Sequence, residues 1–405
     1  MTIDARFVAL DSCRGICAVL VVIFHFNSVL PSALADFMFV RNGYLFVDFF
    51  FVLSGFVLCH KYRDRISGQN EFWQFVIRRF ARVWPVHAVM LIVLFVAILC
   101  VNRLPHPPEL ALTWDENSYS VRALLPSLFL LNAVGLEGSV WNGPAWSIGA
   151  EFQVYLVFAL MTVFLYRGFV TVCAGLSIVA LAFVFWRAPD LMNTTWDYGV
   201  VRCMAGFFAG VVAYHSYERL GAIDALRATM LELAAALAVA LFVTCAGFGP
   251  NAVGVVSLGA PLVFGAAVVI FARERGLFSL ALRARPFKAL GRYSLSVYLV
   301  HQPLLIMFCF AAWSAGYQTK AFAGAAGGSV VRSPDLILVD FILAVVLIAA
   351  GTYRFVELPS RQRLYRYADR CIEPGSRARQ RNVVARPQGR LAHGLGVADH
   401  AFDRR

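Results

Sequence analysis

Ten apolar stretches dominate this chain, near residues 9–29, 44–60, 84–101, 145–165, 169–186, 200–217, 230–247, 255–272, 293–314 and 335–355. Each approaches the length a helix needs to cross about 30 Å of hydrocarbon. Lipid supplies no hydrogen-bond partners, so the backbone of such stretches must satisfy itself, as a helix does. The predicted fold class is therefore all-α: a polytopic integral membrane protein with about ten transmembrane helices. An eleventh segment, "VRALLPSLFLLNAVGL" at 121–136, is short and interrupted by Pro126 and Asn132, which predicts a re-entrant or tilted piece. Of the 405 residues, 60% are hydrophobic and only 15% charged, against about half and a quarter in ordinary soluble domains.

Charge in the short loops predicts orientation. Residues 61–83 read as a loop holding Lys61, Arg63, Arg65, Arg78, Arg79 and Arg82, and residues 273–292 as a second loop of the same kind. Both are expected in the cytoplasm, with the N- and C-termini on that side. A full crossing by 121–136 would put the second basic loop outside, so the charge pattern argues that this segment does not cross. "MTIDARFVALDSCRG" carries acidic residues ahead of the first apolar run and no small-residue cleavage site follows, so the first helix is expected to be retained rather than removed as a signal peptide.

The net charge of +12 comes from these loops and from a basic tail, with no nucleic-acid motif beside it. Residues 1–370 read as one membrane domain and 371–405 as a disordered basic cytoplasmic tail, too poor in large apolar residues to fold. The nine cysteines are scattered without a CxxC pair, and they read as small hydrophobes rather than metal ligands or a disulfide framework.

Against this background a few polar residues stand out. His25 ends the run "CAVLVVIFHF", and an imidazole at that depth needs either a structural partner or a function. Counted from Arg14, it lies roughly 16 Å up a helix that rises 1.5 Å per residue. One reading is a ring that ties two helices together. The other is a general base, kept neutral by desolvation and able to take a proton from a hydroxyl.

In "FVIRRFARVWP", Arg78, Arg79 and Arg82 precede an apolar helix. They suit either topology and headgroup anchoring or the recognition of a phosphorylated cofactor, for which the guanidinium fork is well shaped. Glu151 in "WNGPAWSIGAEFQVYL" falls on the side of His25, where a carboxylate could orient an imidazole. The alternative is a helix N-terminal acid within an aromatic belt. Asp11 and Arg14 are spaced to pair, Asp48 needs a partner that its own segment lacks, and Arg202 opens a helix. No phosphate loop, HExxH or GxSxG occurs, so a metalloenzyme or serine hydrolase has no support.

Taken together, "LDSCRGICAVLVVIFHF", "GYLFVDFFFVLSGF", "FVIRRFARVWP", "WSIGAEFQVYL", "LGRYSLSVYLVHQPLL" and "FVELPSR" resemble, in family order, the motifs of the acyltransferase-3 family. These are bacterial integral-membrane acyltransferases that include O-acetylators of exopolysaccharide, O-antigen and nodulation factors. The resemblance implies that His25 is the catalytic histidine and Glu151 a functional acid. It also implies that Arg14, Arg78, Arg79 and Arg82 serve an acyl-CoA donor. Ser12 and Cys13 depart from the commoner Gly-Leu, and Phe152 stands where many members carry a second acid, which leaves Glu151 alone.

The expected activity is transfer of an acyl group, acetyl first, from acyl-CoA to a hydroxyl of a cell-envelope or exported carbohydrate or glycolipid. The expected location is the bacterial inner membrane, among its lipids, with no bound cofactor or metal. The alternatives are a lipid or hydrophobic metabolite as acceptor, or a proton-coupled transporter or flippase using His25, Asp48 and Glu151.

Overall fold

The apolar runs become long helices. A computed structural model describes residues 7–30, 32–104, 119–135, 141–165, 167–247, 253–314 and 334–371. In chain order the helices are α1 (Val8–Val29), α2 (Met38–Arg41), α3 (Phe46–Tyr62), α4 (Gln69–Val101), α5 (Val121–Leu128), α6 (Ala145–Phe164) and α7 (Phe169–Arg187). They continue as α8 (Gly199–Arg219), α9 (Ala225–Cys245), α10 (Ala260–Phe271), α11 (Leu277–Leu282), α12 (Arg285–Ser314), α13 (Pro334–Thr352) and α14 (Leu358–Cys371). Among the described residues, eight helical stretches are long and apolar enough to cross a membrane. The spans expected at 200–217 and 255–272 are the more polar α8 and the shorter helical stretch Val255–Phe271. The molecule is an all-α polytopic membrane protein.

Two expected boundaries change. Residues 61–83 are mostly helix, because α3 runs to Tyr62 and α4 begins at Gln69. Arg78, Arg79 and Arg82 thus sit inside a 33-residue helix that passes through Pro85. Hydropathy sees only the lipid-soluble part of a helix, whereas backbone bonding continues through arginine, a good helix former. Likewise 273–292 holds α11 and the first turns of α12.

The 121–136 segment forms the eight-residue α5, about 12 Å at 1.5 Å per residue and too short to cross. Two side chains of α4 bond its last carbonyls. Trp84 Nε1 donates to Leu128 O at 2.9 Å, and His87 Nε2 lies 2.7 Å from Ser127 O. The expected disordered tail lies outside the described residues from 372 onward.

Helix pairs close where glycine permits it. A Cβ on Gly15 of α1 would stand 2.6 Å from the backbone of Leu290 and Gly291 in α12, and Gly291 in turn meets the backbone of Asp11. Between α3 and α8, Gly55 and Gly210 abut the backbones of Phe207 and Val52. In lipid, small residues at an interface are what allow such close van der Waals contact. These two interfaces set the rotation of α1, α3, α8 and α12, and through it which polar side chains face one another.

Proline 303 then creates a tether. Lacking an N–H, it leaves the Leu299 carbonyl four residues earlier without its helical donor. Asn142 Nδ2, just before α6, donates to that oxygen at 3.1 Å.

Candidate active site

Charge and apolar packing divide the interior into two regions on the same helices. The first is a cavity of about 480 Å³ between α1, α3, α4, α6, α12 and α14. Six cations line it, Arg14, Lys61, Arg79, Arg82, Arg292 and Arg361, against two carboxylates, Asp11 and Glu357. Such an excess of positive charge beside apolar walls favours an anion.

Each arginine has a distinct setting. Arg14 pairs with Asp11 at 3.6 Å, as their spacing predicts, and donates to Ser294 Oγ at 2.8 Å and Gly291 O at 3.2 Å. Arg79 is buried, donates to Tyr62 OH at 3.1 Å and lies over the rings of Tyr62 and Phe75. Arg82 has Glu151, Glu357, Tyr155 and Tyr365 as electrostatic neighbours. Arg78 differs: it does not line the cavity, and it donates to Asp369 of α14 at 2.7 Å.

On α4, therefore, residues three apart reach the cavity, and the pair four apart does not share that role. Glu357 enters from a five-residue π-helical turn, Tyr353–Glu357, that joins α13 to α14. Ser296 Oγ donates to it at 2.8 Å, and Arg361 lies 3.7 Å away.

Glu151 lies one side chain behind the cavity wall. Ser54 of α3 donates to its Oε1, and Tyr155, one turn on in α6, shares a hydrogen bond with it. Both partners line the cavity. Arg14 and Arg82 feel its charge, and no hydrogen bond joins it to His25 among the described residues. The structure therefore places Glu151 with the arginines rather than with the imidazole. Phe152, where a second acid could have stood, packs against Phe80 at 6.0 Å between ring centres.

The second region surrounds His25. Its Nδ1 lies 3.0 Å from Val21 O. A carbonyl only accepts, so Nδ1 carries the hydrogen and Nε2 keeps a lone pair, the form a general base needs. The His25 ring contacts those of its neighbour Phe24, with centroids 4.9 Å apart, and of a second histidine, His301 of α12, at 5.0 Å. His301 is fully buried. Beside it Tyr298 bonds to Ser147 Oγ at 2.8 Å, and because that hydroxyl donates to Pro144 O, the tyrosine is the donor.

Phe50 packs on Tyr298 at 5.7 Å, and neither histidine lines the cavity. From Leu295 at the cavity to His301 is six residues of helix, about 9 Å. Phe50 and Tyr298 occupy that interval.

Asp48 and Arg202, singled out separately from the sequence, form one buried pair. Arg202 Nε donates to Oδ1 at 3.0 Å and Nη2 to Oδ2 at 2.7 Å. This closed pair joins α3 to α8.

Sequence reasoning missed His301, Glu357, Ser54 and Tyr298. The signal for His301 was present, since "SVYLVHQPLL" places a histidine in an apolar run as "CAVLVVIFHF" does. Glu357, Ser54 and Tyr298 carry no comparable local anomaly.

A family model described as an acyltransferase domain matches residues 7–353. The chain belongs to the acyltransferase-3 family. It is 32% identical over 161 residues to protein 2 in the picA locus of Rhizobium radiobacter, covering 38% of this chain and 81% of that one. It is 36% identical over 121 residues to acyltransferase MdmB of Streptomyces mycarofaciens, covering 29% of this chain and 28% of MdmB. A third relative, O-acetyltransferase OatA of Staphylococcus aureus, is 21% identical over 384 residues, covering 87% of this chain and 57% of OatA. The chain thus spans little more than half of OatA. No solved structure matches. The protein is a membrane acyltransferase.

Proposed function

We propose that this acyltransferase moves an acyl group, acetyl in the simplest case, from acyl-CoA to a hydroxyl of a cell-envelope or exported carbohydrate. The observation that carries the reading is the arrangement along α1 and α12. A cavity with six cationic side chains lies at one end, and a histidine with a free base nitrogen lies further along the same helices. The phosphates of CoA match Arg14, Arg79 and Arg82, and Arg78 supports this wall from outside through Asp369. Glu151 holds Ser54 and Tyr155 and balances the charge of Arg14 and Arg82 where the thioester arm leaves the cavity.

The arm passes Phe50 and Tyr298, which turn aside, and delivers the thioester to His25. There Nε2 takes the proton of the acceptor hydroxyl, the oxygen attacks the acyl carbon, and the C–S bond breaks. The departing thiolate takes the proton back from His25. Holding donor and acceptor together supplies much of such a rate, and the histidine supplies the proton transfer.

The positive-inside rule assigns the arginine end and both termini to the cytoplasm of a bacterial inner membrane, with the acceptor arriving from the other side. The likeness to OatA, an O-acetyltransferase by name, supports acetyl as the group and oxygen as the acceptor atom.

The test is growth with isotopically labelled acetate, followed by mass spectrometry of envelope glycans and lipids from cells making wild type or His25→Ala at matched membrane abundance. Labelled ester on glycan that disappears with His25→Ala is the expected result. Label in the lipid fraction reassigns the acceptor, and the absence of any His25-dependent ester rejects acetyl transfer.

A further inference from the structure

A second cleft, of about 500 Å³, opens between the start of α1 and the first turns of α12. It is lined by Val8, Asp11, Arg285, Lys288, Ala289 and Arg292. Asp11 and Arg292 also line the cationic cavity described above, so the two spaces meet across these side chains. Arg285, Lys288 and Arg292 fall three and four residues apart, which puts them in one row along α12.

Charge in this cleft is unbalanced. Arg283, just ahead of the row, bonds Glu274 at 2.7 Å, and Asp11, the cleft's one carboxylate, pairs with Arg14. Among the described residues, no carboxylate pairs with Arg285, Lys288 or Arg292. Three such cations in a cleft with one acid already engaged favour an anion. A phosphate monoester suits them best, because it brings about −1.5 to −2 of charge at neutral pH and three strong acceptor oxygens.

CoA carries one group of that kind, the 3′-phosphate of its ribose. Its parts follow in the order 3′-phosphonucleotide, pyrophosphate, pantetheine arm and thioester. Along α12 the order is Arg285 and Lys288 in the cleft, Arg292 at the junction, Leu295 in the cavity, and then His301, whose ring contacts that of His25. From Lys288 to His301 is 13 residues of helix, about 20 Å, a length that an extended CoA covers between its nucleotide and its sulfur.

We propose that this cleft is the nucleotide subsite of the acyl donor, in which Arg285 and Lys288 hold the 3′-phosphate and Arg292 stands between it and the pyrophosphate. The inference rests on the acyl-CoA donor proposed above, with the pyrophosphate on Arg14, Arg79 and Arg82. The row on α12 then separates CoA thioesters from pantetheine thioesters that lack the 3′-phosphate. No bond is made or broken in the cleft, so its contribution falls on KM.

Membranes containing the full-length chain are given radiolabelled acetyl-CoA or acetyl-3′-dephospho-CoA, and ester label is followed against donor concentration. The chains compared are wild type, Arg285→Gln/Lys288→Gln and Arg283→Gln, with His25→Ala as the blank. Each is first shown to be recovered as a monodisperse peak in detergent. Arg283→Gln removes a charge from the same stretch of chain but none from the cleft.

For wild type, the KM for the dephospho donor is expected about tenfold to a hundredfold above that for acetyl-CoA, the scale of hydrogen bonds between charged groups. Arg285→Gln/Lys288→Gln should raise the KM for acetyl-CoA by most of that factor and leave the KM for the dephospho donor and both kcat values unchanged. Arg283→Gln should keep the full discrimination. A double variant that weakens both donors equally, or that discriminates as wild type does, overturns the proposal. The first of these is the result for a row that binds lipid headgroup phosphates, since the membrane is the same with either donor. Wild-type membranes without His25-dependent label from either donor refute acetyl transfer and the subsite with it, whereas His25-dependent label with equal KM for the two donors refutes the subsite alone.

Discussion

The pair formed by Asp48 and Arg202 offers a quantitative test of how the helices are held. Their side chains are 0% and 1% exposed. Besides its two bonds to Asp48, the guanidinium donates to Thr194 O and Tyr44 O, each at 3.0 Å, and stacks over Trp146 at 5.3 Å. At an effective dielectric near 20, unit charges about 4 Å apart attract by about 4 kcal/mol, while desolvation costs each ion several kcal/mol. The intact pair is thus close to neutral against an apolar replacement, but removing one member strands the other.

Asp48→Leu or Arg202→Met alone is expected to cost about 3–5 kcal/mol, and the double variant much less than the sum. Arg202→Met should be the worse single change, because it also strips the donors from the carbonyls of Thr194 and Tyr44. The assay is the thermal midpoint of the purified protein in one detergent, taken round the four-member cycle. Additive losses, or single variants as stable as wild type, would refute the view that these charges matter to each other rather than separately.

Two other expectations follow from the cavity and from the tether. Arg79→Lys and Arg82→Lys should each raise the KM for acetyl-CoA several-fold, because a bidentate fork is lost at the cavity wall. Arg78→Lys should move it less, since Arg78 faces Asp369 in a partly exposed pair of a kind worth about 0–1 kcal/mol; donor titration of the three variants checks the order. Asn142→Leu should destabilise the protein by about 1–3 kcal/mol by leaving the Leu299 carbonyl unpaired, and it should do so far less when Pro303→Ala restores the helical donor. Thermal midpoints of the single and double variants decide it.

Much of the molecule was legible from the apolar runs, but only up to the point where a helix leaves lipid. The ends of α4 and α12 were hidden because hydropathy reports solvent and not backbone bonding. His25 could be picked out because a single imidazole in an apolar run is a local anomaly. Glu151 was recognised but given the wrong neighbourhood: depth counted along one helix says which layer a side chain reaches, not which helix it faces. Arg79 rather than Arg78 lines the cavity for the same reason. Along α4 the two are adjacent in sequence but about 100° apart around the axis, and nothing local says which direction the interior takes.

The sequence by itself determined what each segment must be. Backbone groups in lipid have to bond within their own helix, so the class of the fold and the anomalous residues within it follow from local chemistry. Only the tertiary structure decided which anomalies meet. Asp48 and Arg202 lie 154 residues apart, and His25 and His301 come from α1 and α12. Their encounters depend on how α1 is turned against α12 and α3 against α8. That rotation is set where Gly15, Gly291, Gly55 and Gly210 let backbones touch, and van der Waals fit between two helices is a property of neither sequence alone.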